Sequence, residues 1–211
     1  MAGLTLSTGS GLAEEHLPRD GCGSIYYGDY DPKEPRSLQG IPRAIRAQLL
    51  RHIESRVGAT LFANVSFGGG QIVDLAALRR VEPDSKDYEW TVPTYNLFFQ
   101  LRLPGRDVYC ASVELDEKGQ LLQEITLPNA AKYPSKAQVI SREQAAAVAK
   151  THAVPLDKAM VEMNYFPDTD TLEWLFCFHT QEGGATFRGQ CLHVPADNQE
   201  RVHWSEFSGD Y

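Results

Sequence analysis

Ser141-Arg142-Glu143-Gln144-Ala145-Ala146-Ala147-Val148-Ala149-Lys150 is followed, past Pro155, by Val161-Glu162-Met163-Asn164-Tyr165-Phe166, by Pro167-Asp168-Thr169-Asp170 and by Leu172-Glu173-Trp174-Leu175-Phe176-Cys177-Phe178-His179-Thr180. The first run predicts a helix opened by a capping box: the Ser141 hydroxyl can accept from the amide of Gln144, and the Gln144 side chain can reach back. Pro155 limits that helix. The two later runs predict strands joined by a tight turn rich in Asp and Pro. Gln181-Glu182-Gly183-Gly184 then predicts a turn, residues 186–194 a strand, Pro195-Ala196-Asp197-Asn198 a turn, and residues 201–207 a last strand.

Upstream the same order recurs. Pro42 suits a first helical turn, where its missing N–H costs nothing. Ile41, Ile45, Leu49, Ile53 and Val57 recur every four residues, and Gly58 supplies a stop. Residues 61–67 alternate as a strand, Gly68-Gly69-Gly70 breaks it, and residues 71–75 read as a short second strand or a helical turn. Residues 82–87 lead into a partly aromatic strand over 88–93. Residues 95–103, 108–115 and 120–127 form a meander about turns at Pro104-Gly105-Arg106-Asp107 and Asp116-Glu117-Lys118-Gly119. Residues 1–38 predict an extended arm, with Tyr26, Tyr27 and Tyr30 either anchoring it or forming a contact surface.

The halves align as a duplication. Phe99-Gln100-Leu101 parallels Phe176-Cys177-Phe178, and Asp116 to Leu121 parallels Asp197 to Val202. The expected fold is therefore α+β: an N-terminal arm (1–38), a first helix-plus-antiparallel-sheet unit (39–130) and a second (131–211). In each, a helix covers one sheet face and leaves the other open. The second unit resembles the PepSY module through Ile140 to Lys150, Leu172-Glu173-Trp174-Leu175-Phe176, and Leu192-His193-Val194-Pro195-Ala196-Asp197-Asn198 to Val202. Pro195 stands where that family has an Asp in its "VDAxTGEV" strand end, and Asn198-Gln199-Glu200 replaces Thr-Gly-Glu. The resemblance implies a non-catalytic PepSY- or cystatin-like fold of α-βββ units. Such modules are usually exported and are associated with peptidase inhibition or protein binding.

Composition narrows the function. The 211 residues carry a net charge of −8, with 42% hydrophobic and 23% charged residues, so a real core is expected. The diffuse negative charge argues against nucleic acid and anionic membrane and favours a basic protein partner. No apolar run approaches the ~18 residues of a membrane span. Residues 1–10 show neither the positive nor the apolar region of a secretory signal, so a cytoplasmic location is expected. Cys22, Cys110, Cys177 and Cys191 have no CxxC spacing and are expected to be buried thiols of a reducing compartment.

Among groups that carry chemistry, Cys177-x-His179 and Cys191-x-His193 stand out. If the hairpin is centred on Ala185, Cys177 lies opposite His193 and His179 opposite Cys191, all on one face. Two thiolates and two imidazoles are a Zn²⁺ ligand set; the plain alternative is that Cys and His merely populate the face away from the core. No GxSxG, HExxH or Walker motif occurs, and Gly68-Gly69-Gly70 lacks the Lys-Ser/Thr of a phosphate cradle. No catalytic residue is assigned.

Most aromatics belong in the core. Tyr88, Trp90, Tyr95, Trp174 and Trp204 are the candidates for a binding surface on the second sheet faces. The leading expectation is a non-catalytic binding or inhibitory protein of the bacterial toxin-immunity type, a monomer or homodimer that neutralises a basic protein. The alternative is a small-molecule-binding or hydrolytic domain with a pocket between sheet and helix. A subunit that docks by its edge strands is the third.

Overall fold

The computed structural model describes residues 24–83, 92–105, 107–181 and 186–210. Helix α1 (Arg43–Phe62) buries Leu49, Ile53, Val57 and Leu61, the four-residue stripe of the sequence. The chain leaves helical geometry at Gly58, with φ 73°, and completes one more turn to Phe62. Strand β1 (Val65–Ile72) follows, then helix α2 (Leu75–Val81), strands β2 (Tyr95–Arg102) and β3 (Val108–Leu115), and the short β4 (Leu121–Gln123). Helix α3 (Arg142–Thr151) opens the second unit, followed by β5 (Met160–Phe166), β6 (Thr171–Gln181), β7 (Thr186–Pro195) and β8 (His203–Asp210).

Each unit holds a four-stranded antiparallel sheet in sequential order, β1-β2-β3-β4 and β5-β6-β7-β8. The α+β class and the helix-before-sheet order are thus observed twice. The capping box forms as expected: Ser141 Oγ accepts from the Gln144 amide at 3.2 Å, and Gln144 Oε1 accepts from the Ser141 amide at 2.9 Å. One contiguous core runs through both units. It joins the α1 stripe, Leu97, Phe99 and Val113 of the first sheet, Ala145 and Ala149 of α3, and Trp174, Phe176 and Leu192 of the second sheet.

Three local expectations change. Gly68-Gly69-Gly70 does not end the strand but lies inside β1, with a bulge between Phe67 and Gly69. A Cβ on Gly70 would stand 2.6 Å from the Asn96 carbonyl oxygen, so glycine permits the close approach of β1 to β2 there. Residues 75–81 form α2 because Asp74 caps it, accepting from the amides of Ala76 and Ala77 at 3.0 Å. The strand expected over 120–127 shortens to β4. The strand expected over 88–93 lies largely outside the described residues.

Of the two roles open to the tyrosines, anchoring is seen in the described part of the arm, residues 24–38. Tyr27 is buried with Val73 and Leu78, and the Tyr30 hydroxyl accepts from the Asp74 amide at 2.8 Å. Tyr26 stays exposed.

Candidate functional site

Strands β6, β7 and β8 bring a polar cluster together on the face turned away from α3. In a strand, residues i and i+2 share a face. Glu173 and Leu175 on β6, Cys191 and His193 on β7, and His203 and Ser205 on β8 therefore lie side by side. The ladder sets Leu175 opposite His193, His193 opposite His203, and Cys191 opposite Ser205.

The expected Cys/His set separates in this register. Cys177 faces Cys191, not His193, and His179 faces Gly189, not Cys191. The ladder is slid by two residues from the sequence expectation. A slide of two keeps every side chain on its face, whereas a slide of one would have flipped them. Cys177 and Cys191 are joined as a disulfide, so they offer no thiolates to Zn²⁺. Cys110 is disulfide-bonded as well. The expectation of free buried thiols is thereby corrected for the described cysteines, none of which is free. His179 instead packs edge-on against the Phe207 ring and at a tilt against Phe187.

His193 finds other partners. Its Nδ1 lies 3.0 Å from Glu173 Oε2 and its Nε2 lies 2.7 Å from Ser205 Oγ. The His203 ring stacks on it, centroids 4.3 Å apart, and His203 Nε2 lies 4.0 Å from the same Glu173 oxygen. The other Glu173 oxygen accepts from Thr171 Oγ1 at 3.2 Å. Glu173 is 2% exposed and His193 7% exposed. Burial holds the His193 imidazole below its ordinary pKa; Glu173 opposes this, and His203 beside it adds to the depression.

Ser205, His193 and Glu173 repeat the contact order of a serine-hydrolase triad. Ser205, however, sits in a regular ladder. It lacks the sharp strand-to-helix turn that exposes such a nucleophile and aims amides at an oxyanion. The three ligand-type groups Glu173, His193 and His203 have a second chemical use, since their donor atoms all lie within 4.8 Å of one another.

A second feature lies where the two sheets meet. Strand β5 is an outer strand of its sheet, and its edge opens on a groove of about 640 Å³. Leu103, Val108, Tyr109, Ser112 and Thr126 of the first unit form the far wall, and Arg142 and Asp107 stand at the rim. Burial pushes the Tyr109 hydroxyl up to about 12, partly offset by its contact with Thr126.

The aromatic candidates divide. Tyr95 and Trp174 are buried in the core, 8% and 3% exposed, so they are corrected from contact residues to packing residues. Trp174 also donates from Nε1 to the Ile140 carbonyl at 3.1 Å, tying β6 to the entry of α3. Trp204 is exposed: α3 lies against β6 and β7, and Trp204 on β8 meets only the edge of the Phe178 ring among the described aromatics. Tyr88 and Trp90 lie outside the described residues.

Sequence reasoning missed Glu173, His203 and Ser205. The available signal was polar residues two apart on otherwise apolar strands: Thr171 and Glu173, Cys191 and His193, His203 and Ser205. Comparison of the chain with protein-family models, with curated proteins and with solved structures gives no match. Among the described residues no helix is long and apolar enough to cross a membrane.

Proposed function

We propose that the protein is a non-catalytic binding protein that captures an extended, basic segment of a protein partner along the outer edge of β5. The observation that carries this reading is the state of that edge. Natural sheets protect outer strands with proline, lysine, bulges or brevity. Strand β5 has no proline, lysine or bulge and a single charge, Glu162: Met160-Val161-Glu162-Met163-Asn164-Tyr165-Phe166 runs seven residues against β6 in unbroken register. In the other sheet, β1 is bulged and bridged by Lys33, and β4 is only three residues long. An added strand would gain main-chain hydrogen bonds from β5 and side-chain contacts from the groove. Met160 and Met163 suit a surface that adapts to its occupant. The net charge of −8 and Glu162 on the edge favour Lys and Arg in that occupant.

The reading extends to an inhibitor of the toxin-immunity type, in which the captured segment belongs to the protein being neutralised. It agrees with the resemblance of the second unit to PepSY modules. The disulfides favour an oxidising compartment over the cytoplasm for this work.

A random-peptide selection against the intact, unreduced protein tests it. Enriched peptides should alternate apolar residues with Lys or Arg, and Glu162→Lys should weaken their binding at least about tenfold. Failure to enrich any peptide, or equal binding by Glu162→Lys, would overturn the reading.

A further inference from the structure

Glu173 poses an electrostatic problem. It is 2% exposed, and among the described residues its only ion-pairing neighbours are the imidazoles of His193 and His203. A carboxylate taken out of water needs a compensating charge. No Lys or Arg of the described residues supplies one to it. We propose that Glu173, His193 and His203 form a binding site for one divalent transition-metal ion of the Zn²⁺ class.

The donor set is the first support. Two imidazoles and one carboxylate are a well-attested zinc ligand set that leaves a coordination position for water. Distances are the second. Zn–N and Zn–O bonds are about 2.0–2.2 Å, so two ligand atoms of one tetrahedral ion lie roughly 3.3–3.6 Å apart. His193 Nδ1 and Glu173 Oε2 are 3.0 Å apart, and His203 Nε2 is 4.0 Å from that oxygen. The whole set spans at most 4.8 Å; the His203 ring lies stacked on His193 and must turn out of that stack to aim Nε2 at a shared ion, and its side chain is 53% exposed on the edge strand.

The outer shell is the third support. Metal-bound imidazoles usually donate their other N–H to an oriented acceptor, and ligating carboxylates are themselves hydrogen-bonded. Ser205 Oγ lies 2.7 Å from His193 Nε2, and Thr171 Oγ1 donates to Glu173 Oε1. With a metal on Nδ1, the neutral ring carries its proton on Nε2 and donates it to Ser205. Thr171 is backed in turn by Thr169, whose hydroxyl lies 2.6 Å away.

Calorimetric titration of the untagged, unreduced, chelator-stripped protein with ZnCl₂, paired with Co²⁺ absorption spectra, tests the site. The expected result is one ion per chain with a tetrahedral Co²⁺ spectrum. His203→Ala, an exposed position, should fold normally and bind at least about tenfold more weakly. Ser205→Ala should cost about 10–100-fold in affinity, the range for outer-shell partners. His152→Ala, at the exposed end of α3, should bind like the parent. Binding well below one equivalent, undiminished binding by His203→Ala, or equal loss in His152→Ala would each overturn the site.

Discussion

Arg56 and Asp170 stand 114 residues apart in sequence, and their side chains meet at 2.9 Å. Arg56 belongs to α1 and Asp170 to the β5–β6 turn, so this contact ties the first helix to the second sheet. Asp170 is the hub. It also accepts from the Tyr165 hydroxyl at 2.8 Å, the Asn129 amide at 3.0 Å and Lys136 Nζ at 3.0 Å. Arg56 reaches further, to the Leu127 carbonyl and the Tyr165 hydroxyl.

Asp170→Asn isolates the charge. Asp170 has φ 52°, a left-handed geometry that Asn also tolerates, so the turn should survive. Lys136, with its side chain only 12% exposed, would lose its anion, and Arg56, 15% exposed, would keep only the longer 3.9 Å pairing with Glu124. Hydrogen bonds to charged groups contribute about 1.5–3 kcal/mol each, so a loss of about 2 kcal/mol is expected. Urea unfolding measures it; a change below about 0.5 kcal/mol would show that the cluster is not a clasp between the units.

The same carboxylate should shape the acid limb of stability. Burial alone would raise its pKa, but the Tyr165 hydroxyl, the Asn129 amide and Lys136 outweigh burial and hold it below the ordinary carboxylate value. The unfolded chain then takes up a proton at Asp170 before the folded one does. This stabilisation is present above the unfolded pKa, near pH 4, and is lost as pH falls through the depressed folded value. Thermal midpoints measured down the acid range should fall more gently for Asp170→Asn than for the parent. Parallel curves would assign the acid limb to other groups.

Gly189 and Gly209 lie beneath aromatic rings. A Cβ on Gly189 would fall inside the Phe207 ring, and one on Gly209 would press on Phe187. Gly189→Ala must push Phe207 off β7 and off His179, and overpacking of this kind costs about 1–3 kcal/mol. Combining it with Phe207→Leu should cost less than the sum of the two single changes, as a double-mutant cycle would record. Strict additivity would mean the ring does not seat on the glycine.

The Cys177–Cys191 bond closes a 14-residue separation across the β6–β7 hairpin. In the chain-entropy picture a loop of that length is worth about 3 kcal/mol, and less here because the ladder already holds the strands together. Reductant should lower the thermal midpoint. Without reductant, alkylation of the native protein should leave Cys177 and Cys191 unmodified; labelling of both by mass spectrometry would contradict the pairing.

Signals confined to a few neighbouring residues were legible. The Ser141 capping box, the four-residue stripe of α1 and the turns bounding β3 depend on local hydrogen bonding and periodicity, and each appears where the sequence puts it. Residues 71–75 read as a strand or a helical turn, whereas α2 begins only at Leu75, behind the Asp74 cap, and runs to Val81. The role of Gly70 shows only once Asn96 of β2 is beside it.

The candidate site was half legible. Alternation correctly put Cys177, His179, Cys191 and His193 on one face, but two residues of register chose the partners, and β8 had no place in that reading. Tyr95 and Trp174 were misplaced for a related reason: an aromatic on a strand carries no mark of whether a helix covers it. Trp204 lies on β8, whereas α3 packs mainly on β6 and β7.

By itself the sequence determined the class, two helices each followed by antiparallel strands, because capping, turn chemistry and side-chain period act over a handful of bonds. The tertiary structure alone decided that Cys177 meets Cys191, that His193 sits between Glu173 and Ser205, and that Arg56 reaches Asp170. Those pairings depend on how strands slide and helices lie across distances that no local propensity spans.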